Sequence, residues 1–228
     1  MIRDVELVVC PDVEAAAQAA AERLAEAARA GAAIALSGGS TPRRAFEIAA
    51  QLEPNWRRAA AWWGDERCVP PHDARSNYRL AREALLDRLA RPPEVHRIRG
   101  ELPAEEAAAA YEEELGDLRL DLALMGIGPD GHTASLFPNA PTLDERERRV
   151  VAAKPGLEPF VERVTLTLPA LRASRVVLFL VTGAGKADAA RRAFAEEPSK
   201  ETPASLLRSH DGATVAIIDR AAARDLAN

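Results

Sequence analysis

Short unbroken apolar runs alternate along this chain with longer stretches in which apolar residues recur every three or four positions. The runs VELVV, AAIAL, AAAWWG, LDLALMG, RVTLTL, RVVLFLV and TVAIID have the length and composition of buried strands. Between them lie helical patterns. An alanine-rich segment opens behind Asp12, a good N-cap, and stops at Gly31. A second helix is expected over residues 42–52. A third, SNYRLAREALLDRL over residues 76–89, is capped by Ser76 and carries Tyr78, Ala81, Leu85 and Leu89 on one face. EVHRIRG is a short extended piece, and AEEAAAAYEEEL and GKADAARRAF are further helices. Strands that are apolar throughout, each followed by a helix, predict a mainly parallel sheet with helices on both faces.

Composition narrows this to one α/β domain. The 228 residues, 47% of them hydrophobic, suffice for a single domain over residues 1–228, with room for a small lobe. The net charge of −5 gives no general attraction to nucleic acid, so an anionic partner has to be held by a local site. VVLFLV is far too short to span a bilayer, so no membrane is expected. MIRDVELVVC is acidic and lacks the apolar core of a signal peptide. With Cys10 and Cys68 far apart, the expectation is reduced thiols in a cytoplasm. The histidines, His72, His96, His132 and His210, are scattered, and no His-x-x-x-His or Cys-x-x-Cys spacing appears, so no metal site is expected.

In such a sheet ligands collect at the carboxyl ends of the strands, where four loops carry unusual chemistry. SGGSTP, residues 37–42, joins a strand to a helix. Its glycines, Gly38 and Gly39, let backbone N–H groups approach a ligand, the hydroxyls of Ser40 and Thr41 add donors, and Pro42 suits the first helical turn. The pattern suits a phosphate cradle, or a tight turn that needs glycine. A nucleophile elbow at Ser37 is disfavoured, because Ala35 stands where that motif needs glycine. WWGDERCVPP places Asp65, Glu66 and Arg67 at a strand exit, as a site or a solvated turn. LVTGAGKADAARRAF sets Lys186, one of only three lysines, at a helix N-terminus, where a cation is misplaced unless an anion compensates it. It is not a Walker A loop, because Leu180 and Ala187 occupy the first-glycine and hydroxyl positions. Arg163, at the start of RVTLTL, fits either a bidentate phosphate partner or an edge-strand surface arginine.

GIGPDGHTASLFP, the remaining loop, contains a Gly-x-Gly-x-x-Gly at Gly126, Gly128 and Gly131. A dinucleotide fingerprint needs its third glycine inside a long helix and an acid about 20 residues further on. Here only six residues separate Gly131 from Pro138, and Asp130 would bring a carboxylate to a dianion. The better reading is a sharp turn presenting His132 as a general base oriented by Asp130; the bland one is a histidine that caps a short helix.

Together ALSGGSTP, WWGDERCVPP with SNYRLAREALL, LDLALMGIGPDGHTASLFP and RVTLTLPALRASRVVLFLVTGAGKADAARRAF strongly resemble the 6-phosphogluconolactonases, in the superfamily that also holds glucosamine-6-phosphate deaminase. The resemblance runs from about residue 7 to residue 223. It implies an α/β, Rossmann-like three-layer sandwich and hydrolysis of 6-phospho-D-glucono-1,5-lactone in the oxidative pentose phosphate pathway, with no cofactor. The implied partner is a small sugar-phosphate lactone, and the assembly a monomer or small homo-oligomer.

By this resemblance, Gly38, Gly39, Ser40, Thr41, Arg163 and Lys186 bind the substrate phosphate. His132 and Asp130 activate water, Arg67 faces the oxyanion or sugar hydroxyls, and Asp65 holds Arg67 or a hydroxyl. The deaminase reads GHIAFNEP where this chain has GHTASLFP, so its catalytic glutamate is replaced by Phe137. PPHDARSN departs from a more acidic stretch in the family, putting His72 and Arg75 at the rim without a catalytic role. The alternatives are a sugar-phosphate isomerase or deaminase and, behind it, a non-catalytic sugar-phosphate sensor, for whose DNA-binding module the α/β elements leave no room.

Overall fold

The structure, a computed structural model, describes residues 5–156 and 158–226, and of Ser40 the backbone but not the side chain. In chain order the elements are β1 (Glu6–Cys10), α1 (Val13–Ala30), β2 (Ala33–Leu36), α2 (Ser40–Leu52), β3 (Ala60–Trp63), β4 (Asp65–Arg67) and α3 (Asn77–Ala84). There follow β5 (Glu94–Val95), α4 (Ala104–Leu115), β6 (Leu122–Met125), β7 (Val150–Ala153), β8 (Arg163–Leu166) and α5 (Leu168–Arg172). The chain closes with β9 (Val176–Val181), α6 (Ala187–Phe194), α7 (Pro203–Leu206), β10 (Ala213–Asp219) and α8 (Arg220–Ala223).

Seven strands form one sheet in the order β1-β10-β9-β6-β2-β3-β5, parallel at every pairing and flanked by helices. From β2 the chain steps outward to β3 and β5. It then returns to β6 on the other side of β2 and steps outward the opposite way, to β9 and β10. The loops leaving β2 and β6 therefore diverge, which opens a crevice at the carboxyl ends of these strands.

Local chemistry explains the elements. Asp12 accepts a hydrogen bond from Ala15 N at 2.8 Å and starts α1, whose buried face of Ala16, Ala17, Ala20, Ala21, Leu24 and Ala28 is small enough for α2 to approach closely. Trp63 lies beyond the reach of β5, which pairs only with Ala60 and Ala61. The Tyr111 hydroxyl from α4 takes over that ladder position, accepting from Trp63 N at 2.8 Å. An unpaired N–H is thus avoided in the core.

A second sheet was not anticipated. β4, β8 and β7 form a three-stranded antiparallel sheet, with β8 in the middle. The segment DER, expected as part of a loop, is its strand β4, and RVTLTL belongs here rather than to the large sheet. Gly64 is the junction. Its N–H still donates to Leu36 O of the large sheet, and its carbonyl already accepts from Leu166 N of the small one. The helix expected over residues 76–89 also ends early, at Ala84. Leu85 leaves helical geometry at φ −128°, and a short 3₁₀ turn over Leu86–Arg88 follows, which still buries Leu85, Leu86 and Leu89.

Candidate active site

The turn after β6 is tied by its own backbone. Gly128 N donates to His132 O at 2.8 Å and Gly131 N to Gly128 O at 2.9 Å. Gly131 adopts φ +92°, a region costly for any residue with a side chain. A Cβ at position 128 would overlap the His132 ring and the Asp130 carboxylate, so glycine there makes room for the pair. No long helix follows the turn, only an isolated bridge between Thr133 and Leu136. The dinucleotide reading is therefore excluded by geometry.

His132 Nδ1 lies 2.6 Å from Asp130 Oδ1, and His132 N donates to the same oxygen at 3.2 Å. A carboxylate on Nδ1 keeps the proton there and leaves the lone pair on Nε2. Burial pushes the Asp130 carboxyl up, but the hydrogen bond and charge of His132 outweigh it and hold the group below its ordinary range. Asp130 therefore stays ionised. Phe137, buried, sets its ring 5.0 Å from that of His132.

The loop after β2 meets the same crevice. Gly39, at φ +99°, precedes α2, whose start has no side-chain cap, so its first N–H groups are available to an anion. Gly38 packs directly on the Asn77 side chain, where a Cβ would overlap the amide.

From the other flank comes Lys186, at the end of a single 3₁₀ turn leading into α6. Asp219, at the end of β10, holds the entry to that turn by accepting from Gly183 N at 3.0 Å. Burial lowers the Lys186 pKa, with the Asp130 charge opposing the shift.

Arg163 is not an edge-strand surface arginine. It sits in the central strand of the small sheet with 4% of its surface exposed, its Nε donating to Val161 O at 3.1 Å and its Nη2 to Pro159 O at 3.0 Å. In the β4–β8 ladder it stands directly opposite Arg67. Burial first, and the Arg67 charge second, depress its pKa. Like charges directly opposite are unfavourable in a sheet, and an anion between them reverses the sign.

Asp65 does not hold Arg67. Its Oδ2 accepts from the Ser135 hydroxyl at 2.6 Å and its Oδ1 from Asn77 Nδ2 at 3.1 Å, whereas Arg67 Nη1 donates to Arg75 O at 2.6 Å. Glu66 turns inward, caps the start of α3 by accepting from Asn77 N and Tyr78 N at 2.8 Å each, and also takes the Ser76 hydroxyl at 2.9 Å. The sequence reading missed Asn77, which is 1% exposed. Its only signal was a position just after the Ser76 cap, and its role depends on contacts with residues 38 and 65 that spacing does not reveal. His72 and Arg75 do not line the cavity.

The crevice encloses a cavity of about 210 Å³, a size for a small polar ligand rather than a dinucleotide. Gly38, Gly39, Thr41, Asp65, Arg67, His132, Arg163 and Lys186 all line it, together with Asn77. Asp130 stands behind His132, and the Ser40 side chain lies outside the described part. Among the described residues no His, Cys, Asp and Glu cluster suited to a metal is found, and no helix is long and apolar enough to cross a membrane.

The family model described as glucosamine-6-phosphate isomerases/6-phosphogluconolactonase matches residues 11–216. Over 226 residues the chain is 43% identical to the 6-phosphogluconolactonase of Homo sapiens, covering 92% of this chain and 88% of that one. The Haemophilus influenzae 6-phosphogluconolactonase is 36% identical over 202 residues, covering 84% and 86%. Among solved structures, the 6-phosphogluconolactonase from Trypanosoma cruzi superposes with a TM-score of 0.89 at 29% identity, covering 100% of this chain and 99% of that one.

Proposed function

The chain belongs to the family of glucosamine-6-phosphate isomerases and 6-phosphogluconolactonases, and we propose that within it this protein is the lactone hydrolase. Its substrate is 6-phospho-D-glucono-1,5-lactone and its product 6-phospho-D-gluconate, a step of the oxidative pentose phosphate pathway. The observation that carries this reading is the surroundings of His132: one carboxylate partner, Asp130, at 2.6 Å, and on another side the apolar ring of Phe137. Opening and isomerising an aminosugar needs protons moved at several atoms, and Phe137 has none to give. Lactone hydrolysis needs one activated water and a stabilised oxyanion.

In the proposed reaction the phosphate lies on the N–H groups of Gly38, Gly39 and the start of α2, with Thr41, Arg163 and Lys186 contributing hydrogen bonds and charge. His132 Nε2 takes a proton from water as its oxygen bonds to the lactone carbonyl carbon, and Arg67 faces the oxyanion. Collapse breaks the bond from that carbon to the ring oxygen, which receives the proton held on Nε2. Asp65, fixed by Ser135 and Asn77, accepts from a sugar hydroxyl. The acid formed ionises at neutral pH, so turnover releases a proton into solution. Freshly made lactone in weak buffer is expected to acidify much faster with the protein than without it. Acidification at the spontaneous rate, with ammonia released from glucosamine 6-phosphate, would move the assignment to the deaminase.

A further inference from the structure

The arginine at position 192, on α6, reaches the back of the catalytic turn. Its Nη2 donates to Pro129 O at 3.2 Å and its Nη1 to Asp130 O at 3.3 Å, while Nη1 also donates to the buried Thr202 hydroxyl at 2.7 Å. Nε closes the arrangement on Asp188 Oδ2 at 2.9 Å. One guanidinium thus joins consecutive carbonyls of the turn to the segment before α7. The first turn of α7 grips the loop a second time, through Ala204 N donating to Gly131 O at 3.0 Å. There is no slack at this contact. A Cβ at residue 131 would come within 2.9 Å of Thr202 Cγ2 and 3.1 Å of Arg192 Nη1.

We propose that Arg192 is a positioning residue for the reaction: by holding the carbonyls of Pro129 and Asp130 it fixes the peptide from which the Asp130 carboxylate reaches His132. The inference rests on the base role proposed above for His132. Neither Asp130 nor His132 is itself on a regular element, so the direction of the carboxylate is set by the turn backbone. Among the described residues, that backbone is held from behind by Arg192 of α6, Thr202 and the start of α7. The same helix begins directly after Lys186, so the groups proposed for phosphate and for proton transfer are referred to one rigid body. An arginine suits this task because its planar fork serves several acceptors at once, whereas a lysine ammonium keeps the charge without that geometry.

The test compares Arg192→Lys and Arg192→Ala with Asp130→Ala, and with Arg191→Ala as a neighbour that pairs with Asp188 and Glu196. Both Arg192 variants are expected to lose about 10- to 100-fold in kcat, the order produced by a misplacement of about 1 Å, with KM within about twofold. Arg191→Ala is expected to keep the wild-type kcat. In the Asp130→Ala background, removal of Arg192 is expected to cost little more, because both act through one proton-accepting nitrogen. A wild-type kcat in Arg192→Lys, or losses that multiply in the double variant, would overturn the inference. The base assignment fails separately, if Asp130→Ala and His132→Ala both turn over at the wild-type rate.

Discussion

The two turns that meet at the cavity are built in opposite ways. The one after β6 is held on all sides: Gly128 N to His132 O, Gly131 N to Gly128 O, Ala204 N to Gly131 O, and Arg192 behind. Among the described residues, the one after β2 makes few hydrogen bonds to the rest of the protein. Ser37 Oγ reaches Gly38 O at 3.4 Å, and the start of α2 lacks a side-chain cap. Groups that move protons must stand in place beforehand, since any reorganisation adds to the barrier. Groups that receive a phosphate serve best with their N–H groups unspent. The difference separates a wall expected to govern kcat from one expected to govern KM.

The largest effect should come from the braced wall. His132→Ala is expected to lower kcat by about 10²- to 10⁴-fold, measured as proton release corrected for spontaneous hydrolysis. Gly128→Ala, which leaves every reacting group present but forces a Cβ into the His132 ring, is expected to cost roughly 10²-fold in kcat with KM little changed. A wild-type kcat in that variant would show the turn to be less constrained than its bonding implies.

The groups proposed to hold the phosphate, Lys186 on the opposite flank as well as the open turn, should respond in KM. Losing one charge-assisted hydrogen bond of about 1.5–3 kcal/mol, Lys186→Ala is expected to raise KM for the phosphorylated lactone roughly 10- to 100-fold. KM for unphosphorylated gluconolactone should hardly move. An equal fall in kcat for both substrates would break the division between proton transfer and phosphate binding. The smallest effect is one of pH. Because burial lowers the Lys186 pKa, its charge is present at low pH and lost as pH rises through a value below the 10.5 of an ordinary lysine. KM for the phosphorylated lactone in the wild type should therefore begin to rise in that alkaline range. In Lys186→Arg the rise should be absent.

Much of the large sheet could be read from the chain because most of its strands are continuous apolar runs and the longer helices show their own period. The small sheet could not. β4 is three charged residues, and its partner β8 lies about a hundred positions away, so neither composition nor local pattern marks the pairing. The same remoteness kept the chain from deciding between the two readings of Arg163, whose burial follows from being in the middle strand. The glycine loops and His132 with Asp130 were legible because their chemistry is local: a turn, a carboxylate two residues from an imidazole. Asn77 and Arg192 were not. One resembles an ordinary first residue of a helix, the other one of many surface arginines, and only the contacts at residues 38, 65, 129 and 130 distinguish them.

The facing arginines of β4 and β8 have a thermodynamic consequence. A fold that keeps two guanidinium groups in neighbouring ladder positions gives up some of its own stability when unliganded, and an anion seated there restores it. The melting temperature should then report occupancy directly. At a hundred times its Kd a ligand adds about 2.7 kcal/mol, roughly 5 to 10 °C for a chain of this size. The hydroxy acid left by hydrolysis is far longer-lived than the lactone, so calorimetry with the product can measure the site at leisure while the substrate decays by itself.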